Sequence, residues 1–374
     1  MDFKILIKKL NGKLTKKEAI IFNQWYHESA VHRSYFNRLK DNYSQELDNI
    51  DVEKAWQKLS QKISKRKKSQ AYWKFGVAAS IALLVALTIM FNRDSLQNSE
   101  PTVVHSDISV GTDKATLTLE DGSVVVLEKG KKYETQNASS NGEEIIYNKT
   151  TNTRKSLTYN YITVPIGGQY NVVLSDGTQV WLNSDSQLKY PVSFVEGETR
   201  QVELVYGEAY FDVSSSIEHA GSGFRVNNKS QIIEVLGTEF NVKAYKDEEH
   251  IYTTLVEGEV LFIAGAVEEK LAPSQQMVLN ISNGNMSVME VNVYNEISWK
   301  DGIFSFRRKP LGEIMKVLSR WYDIEVIFEN KKLENAGFNG VLGRDQNIEE
   351  IIEAIKNFGI IENYEINNKT VILK

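Results

Sequence analysis

The sequence contains no cysteine, which excludes a disulfide framework and any thiolate nucleophile or thiolate metal ligand. Its histidines, at positions 27, 32, 105, 219 and 250, never recur at the three- or four-residue spacing that a helical metal site needs. The Gly-x-Ser-x-Gly elbow of a serine nucleophile is missing, as is the Gly-x-x-x-x-Gly-Lys-Ser/Thr phosphate loop. Neighbouring acids occur at Glu248 with Glu249 and at Glu349 with Glu350, but adjacent side chains diverge, so these read as solvated surface rather than a hydrolytic pair. The expectation is a chain that is not an enzyme and carries no cofactor and no metal. A net charge of only -5 also argues against direct binding to nucleic acid.

The charge is unevenly placed. Residues 1–71 hold sixteen Lys and Arg against eight Asp and Glu, roughly +8, leaving roughly -13 for the remainder of the total -5. Between the two lies the one long apolar run, FGVAASIALLVALTIMF, from Phe75 to Phe91. Seventeen residues at ~1.5 Å each cover roughly 25 Å, and Tyr72 and Trp73 extend the run into the interfacial zone. The run has no polar stripe, so it reads as a transmembrane helix at residues 72–92. A charged segment this long ahead of it excludes a cleaved signal peptide. Lys62, Lys65, Arg66, Lys67, Lys68 and Lys74 crowd its leading flank. The positive-inside rule therefore predicts a single-pass inner-membrane protein of a bacterium, N-terminus in the cytoplasm and C-terminus in the periplasm.

The expected fold is multidomain. Residues 1–71 read as short helices: Thr15 and Glu18 have capping-box spacing ahead of Ile21, Phe22, Trp25 and Tyr26, Ser34 caps a second helix with Phe36 and Leu39, and Asp51 caps a third with Trp56. So many large aromatics in so small a bundle suggest either its core or a partner surface, and Phe22, Trp25, Phe36 and Leu39 are the candidates for the latter. Residues 93–112 read as an exposed linker. Residues 113–297 read as an all-β domain of solenoid or roll type. There ATLTLEDGSVVVLEKG and YNVVLSDGTQVWLNSD share a template whose Asp121-Gly122 and Asp176-Gly177 mark hairpin turns, glycine tolerating the positive φ required. VYGEAYF at 205–211 is echoed by VEGEVLF at 256–262. VPIGGQY at 164–170 reads as a turn between strands, and residues 133–158 as a long polar loop. Residues 298–374 give the order β-α-β-β-α-β-β, with Pro310 opening a helix striped by Leu311, Ile314, Val317, Leu318 and Trp321. A second helix carries Ile348, Ile351, Ile352, Ile355 and Phe358. This predicts a small α+β domain with both helices on one face and a sheet edge open to partners.

The stretches VPIGGQYNVVLSDGTQVWLNSDSQLKYP (164–191), VELVYGEAYFDV (202–213), EVLGTEFNVKAY (234–245) and TTLVEGEV (253–260) together resemble the FecR family of anti-sigma factors. SWKDGIFSFRRKPLGEIMKVLSRWYDIEVIF (298–328) resembles the start of that family's C-terminal domain, itself similar to the signalling modules of secretins and TonB-dependent transporters. LNGKLTKKEAIIFNQWYHES is similar to the family's short anti-sigma segment. The resemblance implies a relay. A ligand-loaded TonB-dependent outer-membrane transporter offers its signalling domain in the periplasm, and the cytoplasmic helices hold an extracytoplasmic-function sigma factor, with an intramembrane or periplasmic protease cutting near the membrane. The rival reading is a membrane-tethered periplasmic glycan-binding protein or envelope scaffold, in which an aromatic such as Trp181 stacks on sugar rings.

Overall fold

The computed structural model describes residues 3–10, 12, 14–28, 33, 36, 40, 108–148 and 157–374. The chain divides into two compact units, residues 1–105 and 106–374. The apolar run from Phe75 to Phe91, the helix expected from Asp51 and most of that expected from Ser34, including Leu39, lie outside the described residues. Among the described residues no helix is long and apolar enough to cross a membrane.

In the first unit, α1 (Phe3–Leu10) precedes α2 (Lys16–Glu28). The capping box predicted from Thr15 and Glu18 is formed: Thr15 N donates to Glu18 Oε2 at 2.8 Å and Glu18 N donates to Thr15 Oγ1 at 3.3 Å. Lys8 of α1 donates to the same carboxylate, and these bonds hold the Glu18 carboxyl down at about 2.

The second unit opens with a continuous 18-stranded sheet folded into two faces around one apolar core. One face runs β2 (Val124–Glu128), β1 (Thr112–Thr118), β6 (Tyr159–Val164), β9 (Ser186–Pro191), β10 (Arg200–Asp212), β11 (Phe224–Asn228), β12 (Gln231–Val235), β15 (Val260–Ala264) and β16 (Val267–Leu271). The other runs β3 (Tyr133–Glu134), β4 (Ala138–Ser140), β5 (Glu144–Tyr147), β7 (Gly168–Val173), β8 (Gln179–Leu182), β10 again, β13 (Glu239–Ala244), β14 (His250–Glu257), β17 (Gln275–Asn280) and β18 (Met286–Glu290). Alternation along β6, β7 and β8 sends every second residue inward, so Ile162, Val172, Val180 and Leu182 are wholly buried.

Strand β10 belongs to both faces. Its first half pairs with β9 and β11 and its second half with β8 and β13, with the register shifting between Leu204 and Tyr206. Gly207 sits just past that bend at φ 99°, and Gly258 takes φ 94° where the chain leaves β14 on one face for β15 on the other. The two echoed sequences are thus corners of the roll. A β-carbon on Gly207 would lie 2.2 Å from Ser186 Oγ, so the corner accepts only glycine.

The stretch 133–158, expected as a loop, contributes three strands. β5 joins β7 in parallel and buries Ile145 and Tyr147, and two short antiparallel strands extend it. Few apolar residues suffice because the neighbouring strand supplies the backbone partners. The remainder, 149–156, lies outside the described residues.

Helix α3 (Val293–Ile297) and a 3-10 turn (Ser298–Asp301) lead into the C-terminal domain, packing Ile297 and Trp299 on Tyr210 of the roll. The domain follows the expected order: β19 (Ile303–Pro310), α4 (Leu311–Tyr322), β20 (Glu325–Phe328), β21 (Gly337–Gly343), α5 (Ile348–Asn357), β22 (Tyr364–Asn367) and β23 (Thr370–Leu373). Its strands form two small sheets, β19-β21 and β20-β23-β22, rather than one. Leu311, Ile314 and Leu318 of α4 and Ile348, Ile351, Ile352 and Ile355 of α5 form a common core with both. Phe358 lies just beyond α5 and is 69% exposed, because the helix stops at Asn357.

Candidate functional site

The most elaborate polar construction in the second unit is the seam that seats the C-terminal domain on the roll. It is built from α4, from the residues after β21 and from three elements of the roll. Arg320, near the end of α4, donates from Nη1 to Glu248 Oε1 at 2.8 Å and from Nη2 to Asp247 Oδ1 at 2.7 Å. Its guanidinium carbon lies 3.7 Å from the ring centre of Tyr245. Burial alone would lower the Arg320 pKa, but Tyr245, Glu248 and Asp247 outweigh it and the net shift is upward. Glu248 also pairs with Lys243 at 2.7 Å. Expected as solvated surface, Glu248 is in fact covered, held between Lys243 of the roll and Arg320 of the C-terminal domain.

Arg344, 3% exposed, is the second anchor. Its Nη1 donates to the carbonyl of Trp299 at 2.8 Å and its Nη2 to Asn183 Oδ1 at 3.2 Å. Asn183 in turn donates to Glu208 Oε2 at 2.8 Å, and Asn241 donates to Glu208 Oε1 at 3.0 Å. Burial lowers Arg344 to about 10 and raises the Glu208 carboxyl above its ordinary value. Arg344 of the C-terminal domain is thus received by one amide of the roll, Asn183, which together with Asn241 holds the buried acid Glu208.

The turn VPIGGQY lies at the same seam. Gly167, at φ 70°, donates from its N to the carbonyl of Arg320 at 2.7 Å and accepts from Thr112 N at 3.0 Å. The lead-in residues 108–111 pass alongside. Ile108 is buried and Val110 packs in the C-terminal core, while a β-carbon on Gly111 would lie 2.6 Å from the Trp321 ring. The end of the expected exposed linker is therefore covered, since Ile108 and Val110 find apolar partners and glycine permits the close approach.

The two predicted hairpin turns are formed. Gly122 and Gly177 take φ 81° and 87° and donate back to the carbonyls of Leu119 and Leu174. Asp121 accepts from Ser123 N at 2.9 Å, and hydrogen bonds from the Ser123 hydroxyl and amide lower its pKa. Asp176 makes the equivalent bond to Thr178 N at 3.0 Å and also receives buried Arg200 at 2.7 Å. The bonds of both turns are made within the roll, and the structure gives them a folding role. Trp181 offers no open platform for a sugar: Tyr210 lies 5.6 Å from it edge-on and Lys300 Nζ 5.2 Å from its ring centre.

In the first unit, Phe22 and Phe36 are buried against one another with ring centres 4.8 Å apart, and Tyr26 stacks on Phe22 at 5.5 Å. Trp25 is half-buried, and Ile20, not singled out from the sequence, is 68% exposed. Among the described residues no group of three or more His, Asp or Glu side chains is placed to hold a metal ion.

Arg320, Arg344, Asn183 and Glu208 escaped sequence reading because each is an ordinary polar residue until the fold joins it to partners 25 to 161 positions away; the only local hint was the pairing of Arg320 with Trp321 in an otherwise apolar helix face.

A β-roll carrying a docked α+β domain defines the structural class of the second unit. The comparisons with known proteins give the class its family. Residues 160–261 match the FecR protein family and residues 303–373 match the FecR C-terminal family. The chain belongs to the FecR family, in the form that carries the FecR C-terminal domain. It is similar to two crystal structures, at 1.65 and 2.50 Å, of a candidate anti-sigma factor from Parabacteroides distasonis ATCC 8503. Identity is 28% and 27%, and each has a TM-score of 0.52 and covers 57% of this chain and 98% of that one. No curated protein matches the chain.

Proposed function

We propose that this chain is a single-pass anti-sigma regulator of the bacterial inner membrane. Its second unit, in the periplasm, receives the signalling domain of a TonB-dependent outer-membrane transporter, and its first unit, in the cytoplasm, holds an extracytoplasmic-function sigma factor. The membrane helix joining them is the apolar run from Phe75 to Phe91. A protease acting near the membrane completes the relay.

The observation that carries the reading is the open side of β20 in the docked C-terminal domain. β20 pairs only with β23 among the described residues, and Ile327 on it is 48% exposed. An unpaired strand offers its backbone to an incoming strand, which is how a small signalling domain is gripped without a deep pocket. The similarity to a candidate anti-sigma factor supports the cytoplasmic half of the reading. Burial of Phe22 and Phe36 supports a role for them in shaping the helical surface from within, which leaves half-buried Trp25 and exposed Ile20 as the side chains proposed to meet the sigma factor.

The test has two arms. The unit spanning residues 106–374 is titrated with the purified signalling domains of the TonB-dependent transporters of the same organism, and Ile327→Lys is expected to weaken the binding found at least tenfold. The full chain is co-purified with that organism's extracytoplasmic-function sigma factors. Absence of binding in either arm removes that half of the relay, and an alkaline phosphatase fusion after Lys374 that is inactive outside the cell removes the topology on which both depend.

A further inference from the structure

The two edge strands of the roll's first face differ in character. At one end of its first face, β16 carries Glu268, Glu269 and Lys270, charges that discourage another strand from adding to the edge. At the other end, β2 reads Val124-Val125-Val126-Leu127-Glu128 and pairs only with β1 among the described residues. Leu127 points into the core and Val125 packs against it, while Val124 and Val126 are 61% and 52% exposed. A strand of this composition with an uncovered outer side costs solubility unless something occupies it.

The backbone register says how an occupant would bond. Leu119 N donates to Ser123 O at 2.9 Å to close the β1–β2 hairpin, and the partners then run Leu117 with Val125 and Thr116 with Val126. Antiparallel pairs alternate between bonded and non-bonded, so Val125 and Leu127 spend their backbone groups on β1. Val124 and Val126 turn theirs to the open side, while the Glu128 carbonyl accepts from Lys131 N at 3.0 Å beside Gly142.

Charge identifies the occupant. The β2 strand is flanked by Glu120 and Asp121 at the hairpin tip on one side and by Lys129, Lys131 and Lys132 on the other, all exposed. A second β2 running antiparallel, with a twofold axis at Val126, faces Val126 with Val126 and Val124 with Glu128. It also brings the acidic tip of each copy beside the lysine turn of its mate. Lys129 and Lys131 already contact Glu143 and Glu128 at 3.1 and 2.6 Å, but these exposed pairs are weak enough to be shared or exchanged. A parallel arrangement would instead set acid beside acid and lysine beside lysine.

We propose that the β2 edge is a homodimer interface in which two copies of this chain add strand to strand about a twofold axis at Val126, extending the first face of the roll across both. An isologous contact of this kind closes after two copies and so hides both edges. The proposal does not depend on the identity of the signal or of the sigma factor.

Because the chain has no cysteine of its own, a single substitution tests the axis. In the purified full-length protein, Val126→Cys places two thiols across a bonded antiparallel pair, about 5.5 Å apart at Cα and within disulfide range. Mild oxidation is expected to convert most of the chain to a covalent dimer. Val124→Cys, which would face Glu128, and Ile281→Cys, exposed elsewhere on the roll, are expected to stay at least fivefold lower. In the Val126→Cys background, Glu120→Lys with Asp121→Lys is expected to cut crosslinking about tenfold, and adding Lys131→Glu with Lys132→Glu to restore it. The proposal is overturned if Val126→Cys crosslinks no better than Ile281→Cys, or if the charge reversal leaves crosslinking unchanged.

Discussion

Trp321 and Arg344 hold each other from both sides: Trp321 Nε1 donates to the carbonyl of Arg344 at 2.8 Å, while the Arg344 guanidinium carbon lies 3.5 Å from the centre of the Trp321 ring. The same arginine reaches into the roll to Asn183, so one residue ties the C-terminal core to the β-roll. Arg344→Ala should therefore cost about 2–4 kcal/mol, since it removes a buried, stacked, charge-assisted donor and leaves Asn183 Oδ1 short of a partner. Arg344→Lys should recover little of this, because an ammonium cannot both stack on the ring and reach two acceptors. Urea denaturation of the second unit measures both.

The lead-in to the roll depends on the same ring. Gly111→Ala puts a β-carbon 2.6–2.7 Å from three atoms of the buried indole. A loss of about 1–3 kcal/mol is expected. Trp321→Leu has its own cost, but the two changes together should cost less than their sum, since the smaller side chain vacates the space the methyl needs. A thermodynamic cycle of the four proteins decides it, and strict additivity would mean that the segment does not pack as described.

How far the sequence foretold this arrangement can be judged at particular residues. Alternation and turn chemistry act locally, so the Asp-Gly hairpins, the order of elements after Ile303 and the Thr15–Glu18 capping box were all legible. The seam was not. Arg320 looks like a solvated helix residue and Glu248 like one of two surface acids, and only long-range folding makes them partners. The strands of residues 133–147 were hidden for a related reason: β5 is anchored by β7, β4 and β3 extend the sheet from β5, and their own composition is nearly that of a loop. The split of the C-terminal strands into two sheets was equally invisible, since alternation reports a strand and not its neighbour.

The two echoed hairpins offer a controlled comparison. Asp176 and Asp121 make the same bonds within their turns, but Asp176 also receives Arg200, both side chains being 2% exposed. Asp176→Ala strands a buried guanidinium and should cost about 3–5 kcal/mol. Asp121→Ala, in a fully exposed turn, should cost much less. Similar losses at the two sites, read from urea midpoints, would show that the turn and not the ion pair sets the stability.

Glu208 makes stability pH-dependent. Burial raises its folded pKa above the ordinary 4.5, so the folded state holds the proton more tightly than the unfolded chain. Its contribution is fully present below the unfolded value and is lost as pH rises through the folded value. Glu208→Gln does not titrate, and Asn241, whose Oδ1 has no partner, can turn its amide to accept from the new side chain. The wild type is therefore expected to lose stability relative to Glu208→Gln as pH rises from below the ordinary 4.5 through the raised folded value, a trend that paired denaturation curves would detect. A constant difference would place the folded pKa at its ordinary value.

In the helical unit, core and contact roles separate by experiment. Phe22 is buried and meets Phe36 edge-on at 4.8 Å, so Phe22→Ala opens a cavity in a very small interior and should cost about 3 kcal/mol or more, visible as lost helical circular dichroism. Ile20 projects from the same helix and is 68% exposed. Alanine is the better helix former there, so Ile20→Ala should leave the helical signal unchanged or slightly stronger. If the exposed side of α2 meets the sigma factor, Ile20→Ala should nevertheless weaken that binding about tenfold. Unchanged affinity for Ile20→Ala and for Trp25→Ala, with the helices intact, would move the contact surface off α2 altogether.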